Sequence, residues 1–490
     1  MNQAIRNSWL VAIALFALLF GSVSYVQFFA AESLNDNPQN KRQLLATFCA
    51  ERGAILVDGK AIAESVPSTT DCKYQRTYND PQLYAGLTGF FSKFGGQYGL
   101  EAIMRDELTG NSDDALFDRI AQTFTGAKSQ GRSVELTLDS TVQQMAYDMI
   151  PDGVGGSIVA MNPKTGAIIA MASKPSYDTN LLATHDPDVF NASMTDIAAM
   201  PGINLRGSAA YTQLYAPGSV FKIIDTAAAL ESGKYNKDSV LPNPAELSFP
   251  GISYTLPNYA YGQCYTRNEA SFAFALENSC NTPFASIALD LGQDSLTAAA
   301  EKFGFNDSSL RFPDVVEDSR FPGSQGVLDD PALAQSAIGQ RDVLATPLQV
   351  AMMTAAIAND GVQMAPNLVE TVRSAELKTV STLEPEILRQ STTPEVAAQI
   401  TDWMVSVVDN GIGSAAAVPG VKVAAKTGTA ELGQLDDFGN SLNNSWFTGF
   451  APADDPEVVI TIVMPKVDVA TGAQLTSPNA SKLFKAVLNK

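Results

Sequence analysis

The hydropathy pattern is sharpest at the N-terminus. From Asn7 to Ala31 no residue is charged, and Trp9–Phe29 is almost wholly apolar. As a helix rising 1.5 Å per residue, such a run crosses about 30 Å of hydrocarbon. Trp9, Tyr25, Phe28 and Phe29 lie near its ends, where aromatic rings favour the membrane interface. A cleaved signal peptide is the competing reading. Its apolar core would be only about 7–15 residues, and no A-x-A site ends this run, so an uncleaved anchor fits better. Arg6 precedes the run, and Glu32 and Asp36 follow it. That charge bias leaves residues 1–7 as a cytoplasmic tail and 8–30 as a single-pass anchor in the cell membrane, with the rest of the chain extracytoplasmic.

Beyond the anchor, residues 31–150 have mixed character and form a first, non-catalytic α+β domain. Two short β-like runs, Ala54–Val57 and Lys60–Ala63, flank Asp58-Gly59, a hairpin signal. Polar breaks at Thr109–Asp114 and Lys128–Arg132 mark loops. From 151 to 490 the pattern is clearer. Ser157–Asn162 and Ala167–Ser173 read as a hairpin around Pro-Lys-Thr-Gly. Helices follow at Val220–Leu230, after Pro217 and before Gly233, and at Leu348–Ala358, after Thr346-Pro347. Strands return at Val421–Ala425, Trp446–Ala451 and Val458–Met464, with a last helix at Ser481–Leu488. Strands thus open and close this domain and helices fill it, the order of an antiparallel sheet flanked by helices in an α+β fold. The stretches 175–215 and 306–330 read as long Pro/Gly-rich loops of a functional kind.

Composition narrows the chemistry. With 32 basic and 52 acidic residues the net charge is −20, a field that disfavours nucleic acid as a partner. The one histidine, His185, makes a histidine-rich metal site or a Ser–His–Asp triad unattractive, and no metal or other cofactor is expected. Serine chemistry here calls for a lysine base. Outside the cytoplasm disulfides are permitted, and four cysteines allow three connectivities. Proximity in sequence favours Cys264 with Cys280 and Cys49 with Cys72; four buried thiols are the alternative.

Ser219-Val-Phe-Lys222 opens a helix, so hydroxyl and ammonium share one face. A lysine can act as base if burial and nearby cations lower its pKa. The helix N-terminus adds N–H donors for a developing oxyanion. Alone, S-x-x-K is a common chance match, a helix cap and a surface lysine. Here Ser279-Cys280-Asn281 and Lys426-Thr427-Gly428-Thr429 follow in order. Together they make the set shared by penicillin-binding proteins and class A β-lactamases.

The chain resembles a class B penicillin-binding protein over about residues 50–490. Arg52-Gly-Ala-Ile, Gly99-Leu-Glu101, Leu136–Asp139, Pro175–Asp178, Ala216-Pro-Gly and Thr346-Pro-Leu-Gln carry the likeness beyond the three motifs. The short N-terminal region looks most like the actinobacterial penicillin-binding protein A group. The departure is Cys280 inside the second motif, a position that varies in the family.

The resemblance implies a peptidoglycan D,D-transpeptidase with a five-stranded transpeptidase fold and a dimerisation or pedestal-like first domain. Ser219 would attack the penultimate D-alanine carbonyl of a stem peptide, with Lys222 as base. Ser279 would relay a proton to the leaving amine, held by Lys426. Asn281 would bind the substrate amide, and Thr427, Gly428 and Thr429 the terminal carboxylate. Backbone N–H groups of Ser219 and Thr429 would form the oxyanion hole. β-Lactams would acylate Ser219. A separate SEDS-type glycan polymerase and division proteins are the implied partners. A β-lactamase or sensor is less consistent, because the Glu301 segment does not match E-x-x-L-N. A non-catalytic scaffold is disfavoured by the intact trio. A Cys280 nucleophile would need His185 as its partner. Met352-Met353 read as core, and Trp446 and Phe447 as sheet packing.

Overall fold

The structure is a computed structural model that describes residues 3–30, 48–110, 131–260, 262–374, 378–382 and 384–489. The apolar N-terminal run is one helix, Gln3–Ser24, extended by a π-helical turn, Tyr25–Phe29. Within it Ile5–Gln27 is long and apolar enough to cross a membrane. The polar breaks at Thr109–Asp114 and Lys128–Arg132 fall largely outside the described residues.

The five-stranded sheet is antiparallel throughout, in the order Ala424–Leu435, Ser441–Ala451, Val458–Val467, Gly156–Met161, Ile168–Lys174. The early hairpin therefore joins the late strands, as the pattern predicts. Val458–Val467 is the central strand. Its unbroken VVITIVM run is buried on both faces, which explains why no alternation marks it in sequence. On one face lie the helices Ser140–Asp148 and Ser477–Leu488, packed with Ile158, Phe447 and Ile460. On the other, Pro347–Ala358 is buried along its whole length. It starts at Thr346, whose side chain accepts from the Gln349 N–H, followed by Pro347 in the first turn.

A second, six-stranded sheet contains Lys60–Pro67 and Tyr74–Tyr78 at one end. Asp58 and Gly59 both take positive φ, giving the expected hairpin turn. Its other end is built by Val369–Arg373 and Thr379–Thr382, from deep in the later part of the chain, paired onto Ser133–Leu136. A division of the chain near residue 150 is thus crossed twice: two late strands belong to the six-stranded sheet, and Ser140–Asp148 packs on the five-stranded one. Long-range pairing leaves no local trace in sequence, so neither crossing was expected.

Two further expectations need correction. The strand expected at Val421–Ala425 starts at Ala424 and runs on through Lys426-Thr-Gly-Thr to Leu435. The polar K-T-G-T text, expected at the end of that strand, lies within it, on an edge strand where polar groups and glycine are tolerated. The stretch 175–215 is not a loop; it holds helices at Asn180–Ala183, Pro187–Ala199 and Ala209–Thr212. Only Phe190 and Ile197 of the longest are buried, so its apolar stripe is too thin to read as periodicity. The stretch 306–330 is mostly irregular, with a two-strand pair and a 3₁₀ turn, Pro322–Gln325.

Both cysteine pairs are disulfides, Cys49–Cys72 and Cys264–Cys280. Arg52 and Glu101, from two of the short family texts, meet in the first domain. Glu101 is fully buried, with Arg76 Nε 2.6 Å and Arg52 Nε 2.5 Å from its two oxygens.

Candidate active site

Ser219 lies in a 3₁₀ turn, Gly218–Phe221, that leads into the helix Lys222–Glu231. The turn is clamped from several sides. Phe221 packs between Phe305 and Phe321, at 5.4 and 5.5 Å between ring centroids. The Trp446 indole N–H donates to the Ala216 carbonyl at 2.9 Å. Gly218 has φ +55°, and a Cβ there would lie 2.6 Å from the Thr429 carbonyl. A Cβ on Gly428 would lie 2.9 Å from the Pro217 carbonyl. These two glycines let the K-T-G-T strand run directly against the Ser219 turn, bringing the backbones of 218–219 and 428–429 together.

Ser279 completes the cluster. Its φ of +56° is rare for a residue with a side chain and marks a position held by its surroundings. Lys426 Nζ donates to Ser279 Oγ at 2.8 Å and to the Thr427 carbonyl at 2.9 Å. Lys222 Nζ donates to the Ser279 carbonyl at 2.8 Å and to Asn281 Oδ1 at 2.9 Å, and stands 3.4 Å from Ser279 Oγ. One hydroxyl therefore sits between two amines. Both lysines are fully buried. Among the described residues nothing hydrogen-bonds the half-buried Ser219 hydroxyl. Lys222 turns instead to two pure acceptors on the 279–281 turn. A neutral amine has two N–H donors and one lone pair; those two acceptors use the donors and leave the lone pair for a hydroxyl proton.

Burial pushes the Lys222 pKa well down, and the nearby Lys426 pushes it the same way. Burial also lowers Lys426, to about 7. Asp225, one turn along from Lys222, is fully buried with no hydrogen bond to either oxygen. Burial holds its carboxyl far above the usual range, against the pull of Lys222. Asp225 draws the Lys222 pKa back up, but burial and Lys426 outweigh that pull.

Family comparison places this geometry. Residues 156–489 match the model for the penicillin-binding protein transpeptidase domain, and 52–134 the model for the penicillin-binding protein A dimerisation domain. The chain is a class B penicillin-binding protein. It is 38% identical to the peptidoglycan D,D-transpeptidase PbpA of Mycolicibacterium smegmatis, over 100% of both chains. To the protein of that name from Mycobacterium tuberculosis it is 34% identical, over 100% of this chain and 99% of the other. The imipenem acyl-enzyme complex of M. tuberculosis penicillin-binding protein A superposes with a TM-score of 0.83 at 33% identity, covering 91% of this chain and 100% of that one.

In this penicillin-binding protein the sequence-predicted residues Ser219, Lys222, Ser279, Asn281 and Lys426 converge. Thr427, half-buried, and Thr429, exposed, are on the same strand as Lys426. Cys280 is in a disulfide and His185 pairs with Thr70 at 2.6 Å, so a Cys–His pair does not form. Trp446 does more than pack the sheet, since it holds the backbone ahead of Ser219. Among the described residues no group of three or more His, Cys, Asp or Glu side chains gathers as a metal site would need.

Three features escaped the sequence reading. Asp225 is one; its only signal is a lone acid in the apolar text KIIDTAAAL. Asn258 is another: its Oδ1 accepts from the Asn281 N–H at 2.7 Å and the Thr282 N–H at 3.2 Å, while its Nδ2 donates to Asn243 Oδ1 at 2.7 Å. The third is the tie from the Gly218 N–H to the Gly339 carbonyl at 2.8 Å.

Two predictions arise here. Acylation by a penicillin, followed as kcat/KM against pH, should be bell-shaped. The acid limb is Lys222 losing its proton to become a base; the alkaline limb, at about 7, is Lys426 losing the charge that holds Ser279. A profile flat from pH 5 to 9 contradicts this. The Cys264–Cys280 bridge pins the Ser279 turn across 16 residues. Replacing both cysteines by serine should lower stability by about 2–4 kcal/mol in urea unfolding and slow acylation. An unchanged urea midpoint would remove the bridge from the account.

Proposed function

We propose that this chain crosslinks peptidoglycan stem peptides through an acyl-enzyme on Ser219. The supporting observation is the Ser279 hydroxyl held between Lys222 and Lys426, beside the turn that carries Ser219. Lys222 takes the Ser219 proton as Oγ bonds to the penultimate D-alanine carbonyl carbon. The oxyanion accepts from the N–H groups of Ser219 and Thr429. The C–N bond to the terminal D-alanine then breaks, and its amine receives a proton through Ser279. An amine of a neighbouring stem attacks the ester carbon and displaces Ser219 Oγ, which regains a proton. Asn281 binds the substrate amide. Lys426, the Thr427 and Thr429 hydroxyls and the Gly428 backbone receive the terminal carboxylate. β-Lactams follow the first half of this path and remain on Ser219.

The apolar helix anchors the chain, with Arg6 on the cytoplasmic side and the transpeptidase domain outside. Residues 31–150, whose core matches a dimerisation domain, serve for docking or self-association. A SEDS-type polymerase supplies the glycan strands, and division proteins recruit the pair.

The test incubates detergent-solubilised full chain with a D-Ala-D-Ala stem peptide and an acceptor amine. The reading predicts one D-alanine released per crosslink, none with Ser219→Ala, and inhibition by penicillin. Rapid penicillin hydrolysis would favour a β-lactamase; folded protein inert to both would favour a scaffold.

A further inference from the structure

An open cleft of about 540 Å³ adjoins the site, with Asn281 in its wall. Tyr254, Tyr265, Gln340, Arg341 and Glu431 also line it. Glu431 is exposed two residues beyond Thr429 on the same strand, so it lies on the same side. The terminal carboxylate is already provided for at 426–429. The remainder of a bound peptide must pass Asn281 into this cleft.

Among the described residues lining the cleft Arg341 is the one basic side chain, and two glutamates, Glu246 and Glu431, line it as well. In a chain of net charge −20, Arg341 is the charged group in this lining that attracts an anion. Three observations single this arginine out. Its φ is +59°, a conformation that a glycine would adopt without strain. It is two residues from Gly339, whose carbonyl accepts the Gly218 N–H, so the corner is fixed to the Ser219 turn. Its side chain is 42% exposed, and its ion-pair partners among the described residues are Asp342 at 3.2 Å and Asp329 at 3.7 Å, themselves 65% and 67% exposed. Exposed pairs of that kind hold a guanidinium weakly, and a ligand carboxylate can replace them.

We infer that Arg341 is a binding residue for a carboxylate of the stem peptide on the N-terminal side of the scissile bond, making the enzyme selective for acidic donors. This rests on the transpeptidase reading above. Aromatic Tyr254 and Tyr265 give the peptide a contact surface, while Glu246 and Glu431 repel a misplaced carboxylate.

The test uses two N-acyl-D-alanyl-thioglycolate thioesters that differ only in the acyl group, glutaryl with its free carboxylate or the matching carboxamide. Full chain in detergent is first titrated with penicillin so that rates refer to folded sites. Wild type should prefer the acid over the amide by about ten- to a hundredfold in kcat/KM. Arg341→Gln should bring that ratio near one, and Arg341→Lys should retain part of it. Arg341→Gly, suited to the backbone, should behave like Arg341→Gln. Equal rates for the two thioesters in wild type, or a preference that survives in Arg341→Gln, would overturn the assignment. Wild type that takes no penicillin at Ser219 would instead sink the transpeptidase reading, and this inference with it.

Discussion

Replacing Lys222 with methionine is expected to slow penicillin acylation of Ser219 by about 10²- to 10⁴-fold, the usual contribution of a positioned general base. The amine is fully buried, and burial with the nearby Lys426 disfavours its ammonium form more than Asp225 favours it. Methionine keeps most of the volume but removes the donor to the Ser279 carbonyl and Asn281 Oδ1, which costs about 1–3 kcal/mol. The variant should still unfold in one cooperative urea transition, with stopped-flow acylation slowed at every pH. A loss below about tenfold would mean that another group takes the Ser219 proton.

Glu101→Ala is expected to cost about 3–5 kcal/mol in the first domain, because it strands two buried arginines. Arg76 and Arg52 meet the same carboxylate, and the Tyr78 hydroxyl lies 3.2 Å away. Burial alone would raise the Glu101 pKa, but the two arginines together hold it below the ordinary value of 4.5. A depressed carboxylate stabilises the fold above its unfolded pKa, and that stability disappears as pH falls through the folded value. Hydrogen exchange over the strands Ile55–Val57, Lys60–Pro67 and Tyr74–Tyr78 should therefore speed up in Glu101→Ala at neutral pH. In wild type the same loss should begin only below pH 4.5. Unaltered protection in the variant would show that the triad is dispensable.

The chemistry was legible in sequence because each motif is a local text whose residue types already imply a task. S-V-F-K, S-C-N and K-T-G-T name the hydroxyls and amines, and their order names the family. What surrounds them was not legible. Asn258 and Gly339 matter only once distant segments lie beside Asn281 and Gly218, and spacing does not encode that. That the early hairpin joins the late strands in one sheet was readable from apolar runs, yet the two late strands in the six-stranded sheet were not, since pairing over more than 200 residues has no local signature. The helix Pro187–Ala199 had a usable start signal: the Asp186 side chain accepts from the Asp188 and Val189 N–H groups, and Pro187 follows it. Its thin apolar stripe masked that signal.

The most direct test of the convergence at Ser219 is the intact mass of the full chain after a brief penicillin exposure, with peptide mapping of the adduct. One adduct per chain, on the peptide containing Ser219, slow to leave and missing from Ser219→Ala, is the predicted result. An adduct on another residue, or folded wild-type protein that stays unmodified, would contradict it.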